Sequence, residues 1–223
     1  MKRQYVPLLL IFGLLLVKCK MDPPDMLNIP DTTDGYQPVT TGTQWAYHQT
    51  LSTGASMDEI MKMNGSHAVI NGKTYYAATD KADTVVHTSY FYHGNGSYSI
   101  RSEVLGAGTT VEYLYLKDDF PVGQTWTTPI TDNGKLAGYP AQIVGKIVKQ
   151  DTTMAVSSMT FNHVAHTQLQ LQYDIGSGAG FETYQLIDFY IAKGAGIIQI
   201  DTDAGQPTNL QSHQEIINYK IEK

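Results

Sequence analysis

The side chains able to do chemistry are few and poorly spaced for it. Seven histidines occur: His48, His67, His87, His93, His163, His166 and His213. His163 and His166 are three apart, which on a strand sends them to opposite faces and prevents chelation unless the chain turns between them. His87 and His93 share a face of one strand but stand about 20 Å apart. The acid pairs Asp118-Asp119 and Asp201-x-Asp203 sit at strand ends. A glycosidase needs two acids converging across roughly 5–10 Å of cleft, so these read as solvated turns. There is no Asp-x-Asp-x-Asp-Gly loop for calcium and no Gly-x-Ser-x-Gly elbow. Glycine clusters at Gly106–Gly108, Gly176–Gly180 and Gly194–Gly196 are followed by β-type sequence such as Phe181-Glu182-Thr183-Tyr184, not by the helix start of a phosphate cradle. The single cysteine, Cys19, allows neither an intramolecular disulfide nor a Cys-based zinc site. With no nucleophile–base pair to name, the sequence predicts no enzyme, no cofactor and no metal.

The elements that would position a site read as β almost throughout. Asn-Gly occurs at Asn64-Gly65, Asn71-Gly72, Asn95-Gly96 and Asn133-Gly134, and predicts four type I′ hairpin turns because both residues accept positive φ. Short runs rich in Tyr, Val, Ile and Thr lie between. In Thr167–Ile175, Leu169, Leu171, Tyr173 and Ile175 alternate with Gln168, Gln170, Gln172 and Asp174, one dry face and one wet. Further strands are expected near 43–52, 58–64, 84–93, 97–105, 109–117, 141–150, 154–163, 183–192, 197–202 and 214–221, with a short helix within 204–214. The expected fold is all-β: an antiparallel, strongly curved sheet or open barrel, with a β-sandwich as the alternative. The domain would span 40–223.

Two strands are apolar on both faces. Val111, Tyr113 and Tyr115 oppose Leu114 and Leu116; Tyr184, Leu186 and Tyr190 oppose Ile187, Phe189 and Ile191. Such strands are usually central and covered on both sides. The sharper reading is that one face lines an apolar ligand cavity, with Tyr113, Tyr115, Tyr184 and Tyr190 as candidate ligand contacts and Asp188 to orient a polar head group. A weak internal echo, Gly42-Thr43-Gln44-Trp45 and Gly123-Gln124-Thr125-Trp126, suggests two tryptophans that pin turns against the sheet; an exposed pair in a glycan platform is the functional alternative.

Composition limits the partners. Charged residues are 16% of the 223, the net charge is −6 and apolar residues are 42%. Few bases argue against nucleic acid, and the apolar content against a disordered acidic chain. Lys2 and Arg3 precede an apolar run, Pro7–Val17, too short to span a bilayer and of signal-peptide length. Leu16-Val17-Lys18-Cys19 resembles a bacterial lipoprotein signal, with Lys18 where that pattern has Gly, Ala or Ser. The resemblance implies removal of 1–18 and a lipid on Cys19. That loss takes three bases and no acid, so the charge falls to −9 and the anchor must be the lipid itself. Residues 19–39, holding Pro23, Pro24, Pro30, Pro38 and four aspartates, read as an extended tether. Lys20 after the cysteine resembles the signal for release to the outer membrane; periplasmic and surface faces both stay open.

The segments YQPVTTGTQWAYHQT, FPVGQTW, SSMTFNHVAHTQLQLQY and YIAKGAGIIQI, spread over 36–200, recur in this order in a type of Bacteroidetes lipoprotein. These are similar in general plan to the LolA/LolB-like lipoprotein-carrier fold, a curved sheet over an apolar hollow. That likeness implies a half-barrel and binding of a lipid or lipoprotein. The expected function is therefore non-enzymatic binding of an apolar or amphipathic ligand at the cell envelope. Surface glycan capture and a structural role in an outer-membrane complex are the alternatives.

Overall fold

The computed structural model describes residues 35–104 and 108–223. The leader, Cys19 and residues 20–34 of the tether lie outside the described residues, as does Gly106. The described chain forms thirteen strands: β1 (Gln44–Leu51), β2 (Ser56–Ile70), β3 (Lys73–Ala82), β4 (Val85–Gly94), β5 (Ser97–Val104), β6 (Thr109–Lys117), β7 (Thr125–Pro129), β8 (Lys135–Leu136), β9 (Tyr139–Val156), β10 (Met159–Tyr173), β11 (Glu182–Ala192), β12 (Gly196–Asp203) and β13 (Gln211–Lys220). One short helix, α1 (Gly205–Thr208), falls inside the stretch expected to hold one.

Twelve strands make one antiparallel sheet in the order β6-β5-β4-β3-β2-β1-β13-β12-β11-β10-β9-β7, with β8 paired only to β9. The sheet is thus two six-stranded meanders, β1–β6 and β7 with β9–β13, joined where the first strand pairs with the last. It curls until it nearly closes as a barrel around a single core. The all-β, curved open-barrel expectation describes it, and the two-sheet sandwich does not.

The echoed tryptophan motifs open the two meanders in the same way. Gly42 N donates to Met63 O and Met63 N to Thr43 O; Gly123 N donates to Ile147 O and Ile147 N to Gln124 O. Both glycines sit at positive φ, 92° and 91°. The indoles that follow are buried, Trp45 at 1% and Trp126 at 7% exposure. Trp45 Nε1 donates to Ala195 O and Trp126 Nε1 to Leu114 O. Neither ring is available as a glycan platform.

The gap between β6 and β7 is a seam, not a ladder. Glu112 N donates to Ile130 O across it, Trp126 Nε1 reaches Leu114 O, and Thr167 Oγ1 reaches Tyr115 O. These donors cover an edge that would otherwise leave carbonyls unpaired. Outside the seam, buried Arg101 holds Asp132 with two parallel bonds of 3.0 and 2.8 Å and Glu112 with one of 2.9 Å. This ties the segment after β7 back onto β5 and β6. β6 therefore corrects one expectation: it is apolar on both faces yet lies at the end of the sheet, its second face covered by the seam.

Several other boundaries differ from the sequence reading. Asn64-Gly65 makes no hairpin. It is a bulge inside β2, where pairing with β3 breaks between Met63 and His67 and Asn64 Oδ1 accepts from Ser66 N. Asn133-Gly134 lies in a turn closed by Gly134 N to Thr131 O, and of its two residues only Gly134 has positive φ. The expected strand 154–163 straddles a true turn at Ser157-Ser158. Tyr36, Gln37 and Pro38, assigned to the tether, pack against the barrel: Gln37 is buried and accepts from Tyr115 OH.

Trp126 lies opposite Gly145 of β9, and a Cβ built there would fall inside the indole. Gly145→Ala should therefore cost about 2–3 kcal/mol of unfolding free energy by overpacking. Denaturant titration checks this, and the cost should shrink sharply when Trp126→Leu is already present.

Candidate functional site

The barrel interior is filled at one end and open at the other. Alternation fixes which side chains point inward: Trp45, Tyr47, Gln49 and Leu51 on β1, then Met61 and Glu59 on β2, Phe91 on β4, Ile100 on β5 and Tyr113 on β6. Ile187 and Phe189 of β11, Ile197 and Ile200 of β12, and Ser212 and Gln214 of β13 complete the ring. Near Trp45 the space is closed by large rings; Tyr115 stacks on Phe189 at 5.5 Å. Further along, the wall surrounds a cavity of about 100 Å³ that runs towards Leu51, Ala204 and Leu210. Its wall is apolar at the packed end and increasingly polar towards Glu59, Gln49, Gln185, Thr202, Ser212 and Gln214.

Two interior hydrogen bonds explain the shape. β12 pairs with β13 only from Gln199 onward, which leaves nearby carbonyls of β12 free. Trp45 Nε1 takes Ala195 O at 2.6 Å and Tyr47 OH takes Ile197 O at 2.8 Å. These two side chains of β1 thus tie down the start of β12 across the barrel interior. Tyr113 lines the cavity, and burial raises its hydroxyl well above the usual value.

The polar wall carries three ionisable groups on adjacent strands. Glu59, Asp80 and His87 all point inward, in phase with Met61, Ala78 and Phe91. Glu59 is enclosed by protein yet keeps surface on the cavity, and Gln214 Nε2 donates to it at 3.0 Å. Asp80 is 1% exposed; Ser89 Oγ donates to its Oδ2, and His87 Nε2 lies 3.3 Å from the same oxygen. Burial, and secondarily the charge of Glu59, pushes the Asp80 carboxyl up to about 8. Burial also raises Glu59 and lowers His87. Asp80 Oδ1 and His87 Nδ1 are buried without a partner.

The five ligand residues proposed from sequence do not converge. Tyr113 and Tyr115 face the interior, Tyr113 on the cavity and Tyr115 in the packed end beside it. Asp188 and Tyr190 face outward. His166 stacks on Tyr190 at 4.4 Å and its Nε2 lies 2.6 Å from Asp188 Oδ1. Tyr184 sits at a register break and meets Tyr173 edge-on. Asp188 belongs to an outer polar belt crossing β11–β13 and β1, with Asp201, His213 and Thr50 in register. Such a belt is the reverse of a lipid-facing barrel wall. His163 and His166 pair with different aspartates, Asp151 and Asp188, and so hold nothing jointly. Asp118 accepts from Tyr98 OH, and Asp203 from Gly205 N, both as loop fasteners.

Sequence reasoning missed Glu59, Asp80 and His87. The usable signal was phase. Each is a charged or polar residue standing on the apolar parity of its strand: Glu59 between Met57 and Met61, Asp80 between Ala78 and Ala82, His87 between Val85 and Ser89.

No family model matches the chain, and no curated protein matches it in sequence. Solved structures resemble its fold. A "putative lipoprotein" from Parabacteroides distasonis is 12% identical with a TM-score of 0.51, covering 83% of this chain and 98% of its own. A "putative exported protein with YmcC-like fold" from Bacteroides fragilis is 12% identical with a TM-score of 0.50, covering 83% and 99%. At this identity the likeness is one of fold.

Desolvation holds the hydroxyls of Tyr47, Tyr113 and Tyr115 well above the usual value of 10.0. Neutral tyrosine is thus favoured in the folded state, and that contribution is lost as pH rises above the unfolded value. In an alkaline spectrophotometric titration these three should ionise only together with unfolding, as one cooperative step above pH 10. A smooth, unfolding-independent titration of all tyrosines would contradict their burial.

Proposed function

We propose that the protein is a lipid-anchored binding protein of the cell envelope, without enzymatic chemistry, that holds a slender amphipathic ligand inside its barrel. The observation that carries this reading is the interior cavity, apolar at one end, polar at the other, with Tyr113 on its wall. Phe91, Ile100, Ile187, Phe189 and Ile197 would take the apolar part of the ligand. Tyr113, Gln49 and Gln214 would meet its polar atoms, and Glu59 favours a neutral or cationic head over an anionic one.

Size narrows the ligand. Small-molecule sites usually enclose roughly 300–1,000 Å³, against about 100 Å³ here. A diacyl lipid therefore does not fit the cavity as it stands. A single acyl chain enters by parting the strand ends and loop at Leu51, Ala204 and Leu210. Two acyl chains on Cys19 would supply stable anchoring. Tyr184, Tyr190 and Asp188 remain ligand contacts only for a molecule that also crosses the outer belt. The fold likeness to proteins described as lipoprotein and exported supports an envelope location, with the outer membrane as the proposed site. Lipid or lipoprotein is the proposed partner class; for the glycan alternative, the two indoles are buried and only tyrosines could form the exposed aromatic row it requires. The structural-subunit alternative needs a broad apolar patch, whereas exposed apolar residues such as Val69, Val86, Val122 and Phe181 lie on separate elements.

Native mass spectrometry tests this. The full chain, released from detergent after incubation with a bacterial lipid extract, should carry one adduct of single-chain lipid mass. Half-buried Ile200 lines the cavity, so Ile200→Glu should abolish the adduct with the circular dichroism spectrum unchanged. Ile175→Glu, on the exposed loop after β10, should keep it. Bare protein throughout overturns the reading.

A further inference from the structure

The acidic wall of the barrel has a chemistry of its own. Glu59, Asp80 and His87 come from three consecutive strands, β2, β3 and β4, paired antiparallel in unbroken register from Glu59 to Met63 and from Asp80 to Ser89. One donor atom from each lies within 4.8 Å of the other two. Among the described residues no lysine or arginine pairs with either carboxylate; Asp80 has His87 as its ion-pair partner, and Glu59 has the amide of Gln214. Asp80, 1% exposed, leaves Oδ1 without a hydrogen bond, and the neighbouring His87 Nδ1 is equally buried and unpaired. Buried polar atoms are nearly always satisfied, and an orphan marks an unmodelled water or ion, strain or function. Two carboxylates beside an imidazole, with Asp80 Oδ1 and His87 Nδ1 unused, form a donor set lacking only its acceptor.

We infer that Glu59, Asp80 and His87 form a binding site for a single divalent transition-metal ion of the Zn²⁺ class. Its charge would offset the two carboxylates, which no other cation near them does. Tetrahedral metal–oxygen and metal–nitrogen bonds of about 2.0–2.2 Å put donors roughly 3.4 Å apart. The present spread therefore closes by side-chain rotation, without movement of the strands. An imidazole among the ligands favours zinc, iron or nickel over calcium and magnesium, which prefer oxygen alone. Supports are already in place: Ser89 Oγ fixes Asp80 and Gln214 Nε2 fixes Glu59, as hydrogen bonds behind metal ligands commonly do. Glu59 borders the cavity, so water or a ligand atom can complete the coordination from that side. The inference does not require the amphipathic ligand to bind, although Glu59 and Gln214 face the same cavity.

Isothermal titration of the chelator-stripped full chain in detergent with Zn²⁺ provides the test. The expected result is one equivalent bound with micromolar or better affinity, and at least a tenfold rise in Kd for both Glu59→Gln and His87→Gln. Glu59→Gln can keep its bond to Gln214 and His87→Gln keeps a polar side chain, so both should fold, as thermal melts would verify. Zinc can also meet the outer histidines, so His213→Gln, which removes the His213–Asp201 pair, serves as control and should leave the affinity unchanged. Absence of binding overturns the inference. So does binding that survives both interior substitutions or disappears with His213→Gln.

Discussion

Everything inside this protein depends on closing one seam. A curled antiparallel sheet with β6 at one end and β7 at the other leaves two free edges, and free edges recruit other chains. Here the edges are joined by a few dissimilar bonds: a backbone bond from Glu112 to Ile130, the indole N–H of Trp126 to Leu114 O, and Thr167 Oγ1 to Tyr115 O. Gly145 makes the central one possible, because the indole lies where a β-carbon would be. Arg101 then fastens the outer segment through Asp132 and Glu112. The Arg101 side chain is nearly inaccessible, so loss of one of its carboxylate partners would leave a buried charge poorly compensated. Were the seam to open, the interior would be exposed to water and the cavity would cease to exist.

Closure also explains how acids come to lie inside. A carboxylate moved from water into an apolar interior is disfavoured, and the elevated Asp80 shows that cost. The barrel tolerates Glu59, Asp80 and His87 because they occupy the end where the core stops short. At the opposite end Tyr115, Phe189, Trp45 and Ile191 fill the space. The interior is therefore divided: one end supplies stability through packed rings, and the other departs from core chemistry. Departures of this kind are where local rules are expected to yield to function.

The two meanders give the architecture an internal logic. Each begins with a glycine at positive φ, a reciprocal pair of backbone bonds to the next long strand, and a tryptophan turned inward. The first indole caps the Ala195 carbonyl in the turn leading into β12, and the second caps Leu114 O of the edge strand β6. The same short device thus solves the same problem twice, satisfying carbonyls where the ladder stops.

Much of this was legible in the chain. Period-two alternation in Leu169, Leu171 and Tyr173, and the Asn-Gly turns at 71–72 and 95–96, follow from local geometry, because a side chain's face and a positive φ are set by near neighbours. The repeated tryptophan motif was visible for the same reason. β3 was not expected, since Ala77, Ala78 and Ala82 have weak strand preference and Asp80 breaks the apolar phase. That missed strand carries the most perturbed acid of the site. Asn64-Gly65 became a bulge because the strand continues beyond it, pairing again from His67. Sequence by itself determined the faces of the clearest strands and the paired turns at 71–72 and 95–96. Only the tertiary structure decided which strand ended the sheet and that Tyr113 and Tyr190 lie on opposite faces of the wall. It also decided that Glu59, Asp80 and His87 meet, because proximity across three strands is set by register and closure, which no local stretch encodes.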